Sequence, residues 1–192
     1  MAESVLEIRI HGRGGQGGKT AAQFIAEAGV DEGKFVQAFP EYGPERSGAP
    51  VTAYARISNK RIRLYQPVHN PDIVLVIDPT LIGPIDVTEG MKDDGILIVN
   101  TPKSPEEIRK QTKFNGRIYT VDATKISMDA TGTNKPNVPM LGAMIRVTGV
   151  IKLDSIENKI RHKFTKKLGE ERTQATVDAI KRAYKEVVSY TG

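Results

Sequence analysis

The chain has 192 residues, of which 39% are hydrophobic and 27% are charged, and its formal net charge is +5. This composition is typical of a folded domain with its own core, and it excludes a disordered chain. The sequence contains no cysteine, which excludes disulfides, thiolate catalysis and cysteine-ligated iron–sulfur clusters within this chain.

Targeting, metal and nucleic-acid signals are missing from the sequence. No stretch approaches the length of a membrane span, and residues 1–4 lack the regions of a signal peptide. We therefore expect a cytoplasmic protein with no membrane partner. The histidines, at positions 11, 69 and 162, have no metal-ligand spacing. The lysine-rich C-terminal helices lack interleaved aromatic residues, so no nucleic-acid partner is expected.

The first third of the chain alternates strands with one helix. Apolar periodicity predicts a strand over 5–11, a helix over 16–29 and a second strand over 35–39. A turn-rich segment over 40–50 then leads into further strands. These strands, over 51–57 and 61–65, flank a short turn and predict a β-hairpin with antiparallel pairing.

The remainder of the chain predicts a parallel sheet followed by helices. Continuous apolar runs at 72–78 and 96–100 are typical of parallel strands that are buried on both faces. Ser104, Pro105 and Glu107 form a helix-start signal, and a strand follows at 117–121. Residues 131–139 predict a loop, and helices are expected over 138–149, 153–164 and 170–190.

These elements predict an α/β fold: a mostly parallel twisted sheet with a β-hairpin contribution, helices on both faces and a helical C-terminal segment. We expect one domain over 1–192, with an α/β core at 1–122 and a helical extension at 123–192.

A glycine-rich stretch between the first strand and the first helix is the main functional signal. Residues 12–17 match G-x-G-x-x-G, a phosphate-cradling turn in which backbone amides face the ligand. An NAD site needs an acidic residue at the end of the second strand, which is lacking here. Lys19 lies out of register for a P-loop. A tight turn without a ligand is the alternative interpretation; Arg13 and Lys19 favour an anion or a partner surface.

Two further segments contain candidate binding residues. The segment 41–48 follows the second strand and places Glu, Tyr and Arg side chains near the ligand edge of the sheet; an ordinary surface loop is the alternative. Asn137 is expected to cap a helix beginning at Val138, or to make a functional contact. Asp78 and Asn100 end parallel strands, where each could line the crevice or cap a turn. No nucleophile–base–acid set is present.

The glycine-rich stretch, the EYGPERSG segment at 41–48 and the stretch from Asn137 to Ala143 together resemble the gamma subunit of 2-oxoacid:ferredoxin oxidoreductases. The sequence FPEYG at 39–43 is most similar to the pyruvate branch of this family. The resemblance covers nearly the whole chain. It departs from the family pattern at Gly18, Lys19 and Thr20, which leaves open an added phosphate contact, and at Ser47.

The resemblance implies a non-catalytic subunit of a complex that decarboxylates pyruvate, reduces ferredoxin and forms acetyl-coenzyme A. Thiamine diphosphate, magnesium and [4Fe-4S] clusters would lie in partner subunits: alpha, beta (thiamine-binding) and delta (ferredoxin-like). This chain would help form the coenzyme A side and the subunit interface. A stand-alone nucleotide-binding protein and a purely structural assembly subunit are the alternatives. The candidate binding residues are Gly12, Arg13, Gly14, Gly15, Gln16, Gly17, Lys19, Glu41, Tyr42, Gly43, Glu45, Arg46 and Asn137.

Overall fold

A computed structural model describes residues 5–41 and 48–189. These residues form a seven-stranded sheet in the order β2-β3-β1-β4-β5-β6-β7. The strands are β1 (Leu6–Arg13), β2 (Phe35–Pro40), β3 (Pro50–Ser58), β4 (Ile73–Val76), β5 (Ile96–Asn100), β6 (Arg117–Val121) and β7 (Val188–Ser189). The helices are α1 (Gly18–Asp31), α2 (Pro105–Thr112), α3 (Ala123–Thr131), α4 (Asn137–Thr148), α5 (Leu153–Leu168) and α6 (Glu170–Glu186).

The centre of the sheet is parallel and its edges are antiparallel. Strands β1, β4, β5 and β6 pair in parallel, whereas β3 pairs antiparallel with β1 and β2 and β7 pairs antiparallel with β6. Alternate residues of β4 and β5 enter two buried clusters, because successive side chains of a strand point to opposite faces. The predicted α/β fold class is therefore confirmed.

The two faces of the sheet carry unequal layers. On one face, α1 and α3 to α6 share a large apolar cluster with the strands. On the other face, α2 contributes Ile108 to a smaller cluster over β4 to β6. The predicted start of α2 is confirmed: Ser104 and Glu107 form a reciprocal capping box, with Pro105 at the first helical position.

The predicted strand over 61–65 is wrong. These residues form no regular structure, because β3 already pairs on both sides, with β1 and with β2, and has no free edge for a hairpin partner. The neighbouring antiparallel strands in the chain are β2 and β3 instead.

The C-terminal boundaries also differ from the expectation. The last helix ends at Glu186, and β7 follows it, as suits the β-branched pair Val187 and Val188. Helix α3, which the periodicity does not single out, begins where the Asp122 carboxylate accepts a hydrogen bond from the Lys125 amide. Within the described ranges, no helix is long and apolar enough to cross a membrane.

Candidate functional site: a locked glycine loop at the sheet edge

The glycine loop, residues 12–17, joins β1 to α1 at the carboxyl edge of the parallel strands. Gly15 and Gly17 have φ values of 92° and 82°, a left-handed region that glycine enters with little strain. The Gly14 amide donates to the Ala49 carbonyl at 2.9 Å. This bond ties the glycine loop to the residue just before β3.

The Gln16 side chain bridges the glycine loop and Asp78. Its Oε1 accepts a hydrogen bond from the Arg13 amide at 2.7 Å, and its Nε2 donates to Asp78 Oδ2 at 2.7 Å. Because one side chain bonds both the loop backbone and the end of the neighbouring strand, it fixes the loop against β4.

Asp78 is the anchor of this arrangement. Its Oδ2 also accepts from Arg13 Nε at 3.1 Å, and its Oδ1 accepts from the Thr80 amide and hydroxyl. Burial alone would raise the pKa of Asp78, but the hydrogen bonds from Thr80 and Gln16 and the charge of Arg13 lower it on balance. The sequence marked Asp78 as a strand end; its pairing with Arg13 and Gln16 depends on tertiary contacts.

The Arg13 guanidinium is engaged within the chain. Besides Asp78, it donates to the Gly48 carbonyl at 3.1 Å and to Thr80 Oγ1 at 3.0 Å. Its side chain is 32% exposed. Arg13 therefore fixes the loop in addition to contributing positive charge at the sheet edge.

Asn137 joins α4 to the glycine loop. Its Nδ2 donates to the Gly17 carbonyl at 3.3 Å, across 120 positions of sequence, and the residue is 6% exposed. The expected role as helix cap is wrong: the helix already includes Asn137, and Pro136 precedes it without a side-chain cap bond. The amide side chain is used for a tertiary contact because Gly17 lies directly against it.

The backbone amides at the start of α1 have no acceptor from a capping side chain. Gly17 is the N-cap and has no side chain to accept from the first turn, which also contains no acidic residue. The first backbone bond of the helix runs from the Ala21 amide to the Gly17 carbonyl, so the amides of Gly18, Lys19 and Thr20 have no helical acceptor. Lys19 is exposed. This end of the helix therefore attracts anions.

Only part of the 41–48 segment falls within the described residues. The Glu41 carboxylate accepts a hydrogen bond from the Tyr54 hydroxyl at 2.7 Å, and the Glu41 amide donates to the Thr52 carbonyl. The remaining candidates Tyr42, Gly43, Glu45 and Arg46 lie outside the described residues.

Sequence reasoning missed a buried polar pair on β1. Arg9 and His11 are 7% and 6% exposed, on the face of β1 opposite the apolar side chains of Ile8 and Ile10. Arg9 Nη2 donates to the carbonyls of Val87 and Glu89. Burial, together with the nearby Arg9 charge, lowers the pKa of His11 to about 4. The signal in the sequence was the polar alternation of β1; the burial of this face depends on the segment at Val87 and Glu89 that packs over it.

Asn100, the other strand-end candidate, has a structural role. Its side chain donates to the Ile77 carbonyl and to Thr124 Oγ1, and its Oδ1 accepts from the Thr124 amide. These bonds tie β4 and β5 to the start of α3. In the part of the chain that the structure describes, no group of three or more acidic or histidine side chains could hold a metal ion.

The fold is an α/β domain whose glycine loop, bonded to Asp78 and Asn137, holds the first amides of α1 at the sheet edge. The family model for pyruvate ferredoxin/flavodoxin oxidoreductase matches residues 7–186. The chain belongs to this oxidoreductase family, which confirms the resemblance drawn from the three motifs.

Several relatives match along nearly their whole length. The pyruvate synthase subunit PorC of Thermotoga maritima is 51% identical, and the alignment covers 97% of each chain. The common gamma subunit of the pyruvate and ketoisovalerate oxidoreductases of Pyrococcus furiosus is 48% identical, over 93% of this chain and 97% of that protein. These full-length relatives are subunits of oxidoreductases.

Solved structures support the same fold. The crystal structure of the Thermotoga maritima subunit superimposes with a TM-score of 0.88 at 48% identity, covering 97% of this chain and 99% of that one. A 2-oxoglutarate:ferredoxin oxidoreductase from Magnetococcus marinus reaches 0.77 at 20% identity, over 94% of this chain and 30% of that chain. The second likeness shows that the fold also occurs as part of a longer chain.

Proposed function

We propose that this chain is the gamma component of a pyruvate:ferredoxin oxidoreductase. It has no complete active site and helps form the coenzyme A side of one. The observation that carries the proposal is the glycine loop. Its fixed backbone presents uncompensated amides of α1 beside the exposed Lys19, and it lies in a chain that matches a pyruvate synthase subunit over 97% of both lengths.

The residue chemistry supports a division of labour with partner subunits. The chain contains no cysteine, so it lacks the usual ligands of an iron–sulfur cluster. We place the [4Fe-4S] clusters, and with them thiamine diphosphate and magnesium, in alpha, beta and delta subunits through which ferredoxin is reduced. We place this assembly in the cytoplasm.

The choice of oxoacid belongs to those partners as well. The gamma subunit of Pyrococcus furiosus is common to a pyruvate and a ketoisovalerate oxidoreductase, so in that organism one gamma chain serves two substrates. We therefore propose that this chain contacts the nucleotide end of coenzyme A and neighbouring subunits and does not contact the oxoacid.

In this site the loop amides and Lys19 would attract the phosphates of coenzyme A. Arg13, Gln16 and Asn137 would hold the loop in shape, and Glu41 would contribute to the adjoining wall. The glycines Gly12, Gly14 and Gly15 would permit close approach of the ligand to the backbone.

A substitution of Lys19 tests the proposal in the assembled complex. Lys19→Gln should raise the KM for coenzyme A by about three- to tenfold, the effect of losing roughly 1 kcal/mol of charge attraction, and should leave the KM for pyruvate unchanged. Lys167→Gln, at an exposed position near the end of α5, is the matched control.

Unchanged coenzyme A kinetics in Lys19→Gln would remove this residue from the site. If the isolated chain also bound ATP or NAD more tightly than coenzyme A in calorimetry, a stand-alone nucleotide-binding protein would replace the proposal.

A further inference from the structure

The face of β2 and β3 opposite α1 is covered by an irregular stretch that we call the outer segment, residues 61–67. Gln37 Nε2 donates to the Leu64 carbonyl at 3.1 Å, and Arg56 Nη2 donates to the Gln66 carbonyl at 2.6 Å. Val68, which follows, is 3% exposed. The outer segment therefore has a fixed position on the sheet although it contains no helix or strand.

A buried arginine holds this position. Arg56 is 1% exposed, and its Nε donates to Glu7 Oε1 at 2.7 Å. Its Nη1 donates to Gln37 Oε1 at 3.2 Å, and its guanidinium lies 5.3 Å from the centre of the Phe39 ring. Burying a charge is unfavourable unless its hydrogen bonds are satisfied. One acceptor for the buried Arg56 is the Gln66 carbonyl of the outer segment, so this charge ties the backbone of the segment to the sheet.

The outward side chains of the outer segment contrast with this fixed backbone. Arg61, Arg63 and Tyr65 are exposed, whereas Ile62 and Leu64 between them are partly buried. Tyr65 is 93% exposed. Within residues 5–41 and 48–189, no hydrogen bond or ion pair engages Arg61, Arg63 or Tyr65. Arginine and tyrosine are among the residue types most enriched at the energetic centres of protein interfaces.

We propose that the outer segment is a preformed docking surface for an acidic patch on another subunit of the oxidoreductase. Arg61 and Arg63 pair with its carboxylates, and Tyr65 is the central packing anchor. The inference rests on the proposed function, which requires such a partner. Two arginines and one aromatic ring are too few for a nucleic-acid groove, where several phosphates are neutralised and several bases stack.

The test measures assembly of the full chain with the remaining subunits of its own complex. The double variant Arg61→Glu/Arg63→Glu should raise the Kd for the complex that lacks this chain by at least about tenfold, and Tyr65→Ser should do the same. The matched control is Lys166→Glu/Lys167→Glu, which makes the same charge change at exposed positions of α5 and should bind as the wild type does. All variants should keep the wild-type Tm, since the substituted side chains make no internal hydrogen bonds.

Salt provides a second readout. The wild-type Kd should rise with ionic strength more steeply than that of the Arg61→Glu/Arg63→Glu variant, because the variant lacks the screened charge pairs. Wild-type affinity in both outer-segment variants would overturn the inference while leaving the proposed function intact. Failure of the wild-type chain to assemble would overturn both. Loss of binding to phosphatidylserine vesicles with unchanged assembly would also overturn it, in favour of a membrane surface.

Discussion

Gly17 is the position at which the glycine loop, α1 and α4 meet, and its replacement by alanine tests that geometry. Gly17 has a φ of 82°, and a Cβ built on it would lie 2.5 Å from Asn137 Nδ2. Gly33 is a matched control, because it has a φ of 73° with no heavy atom within 4 Å of such a Cβ. The two substitutions therefore share the backbone strain and differ in the clash.

The magnitude follows from these two contributions. A left-handed alanine costs about 1–2 kcal/mol, and both variants should lose this amount. In Gly17→Ala the buried Asn137 amide must also move and lose its bond to the Gly17 carbonyl, which adds roughly 1–2 kcal/mol. The expected loss is about 3 kcal/mol for Gly17→Ala and about 1–2 kcal/mol for Gly33→Ala.

Urea unfolding measures the free energy of unfolding of both glycine variants, of Asn137→Ala and of the Gly17→Ala/Asn137→Ala double variant, which together give a double-mutant cycle. Asn137→Ala removes the clashing side chain, so the Gly17→Ala/Asn137→Ala double variant should be more stable than additivity predicts by about 1–2 kcal/mol. Equal losses for Gly17→Ala and Gly33→Ala, or additivity within roughly 0.5 kcal/mol, would refute the contact between the loop and α4.

Three further outcomes are expected. Asp78→Asn should lower the free energy of unfolding by about 2 kcal/mol at neutral pH, since charge-assisted bonds to Arg13 and Gln16 are weakened. Because the folded-state pKa of Asp78 is lowered, the difference in free energy of unfolding between wild type and variant should decrease as acid protonates the wild-type carboxylate. A difference that stays constant with pH in urea titrations would contradict this. His11→Gln should flatten the dependence of the free energy of unfolding on pH between about pH 6.5 and 4. In this range the His11 side chain of the unfolded wild type binds a proton that the folded state does not, so the wild-type free energy of unfolding falls by roughly 3 kcal/mol on acidification. A wild-type curve without that decline would count against it. Gly142→Ala should lower the yield of folded protein or its Tm sharply, because the new Cβ would overlap the Ile180 carbonyl oxygen of α6, whereas Gly18→Ala, with its nearest neighbour at 3.8 Å, should leave the Tm unchanged or slightly higher.

Local chemistry was sufficient to predict most of the fold. The capping box at Ser104 and Glu107 and the buried apolar runs of β4 and β5 follow from propensity and periodicity alone. The strand at 61–65 failed because alternation reports a segment that suits a strand, whereas pairing also requires a free edge, and β3 offers none. The division at residues 122 and 123 stays a prediction.

The candidate site could be placed from the sequence but its internal bonds could not. The glycines at 12–17 indicate a turn at the sheet edge, since only glycine enters a left-handed turn easily. That Asp78 would bind Gln16, 62 positions away, and that Asn137 would bind Gly17 across 120 positions depend on the packing of whole elements. The same holds for Arg56, because no local sequence pattern predicts its burial under the outer segment.

We propose that this chain completes the coenzyme A side of a multisubunit oxidoreductase. The most direct measurement is pyruvate-dependent ferredoxin reduction by the other subunits of the complex, assayed without the chain and after adding it back. Coenzyme A-dependent turnover should be low without the chain and should be restored stoichiometrically when the chain is added. Full turnover with an unchanged KM for coenzyme A in the absence of the chain would contradict it.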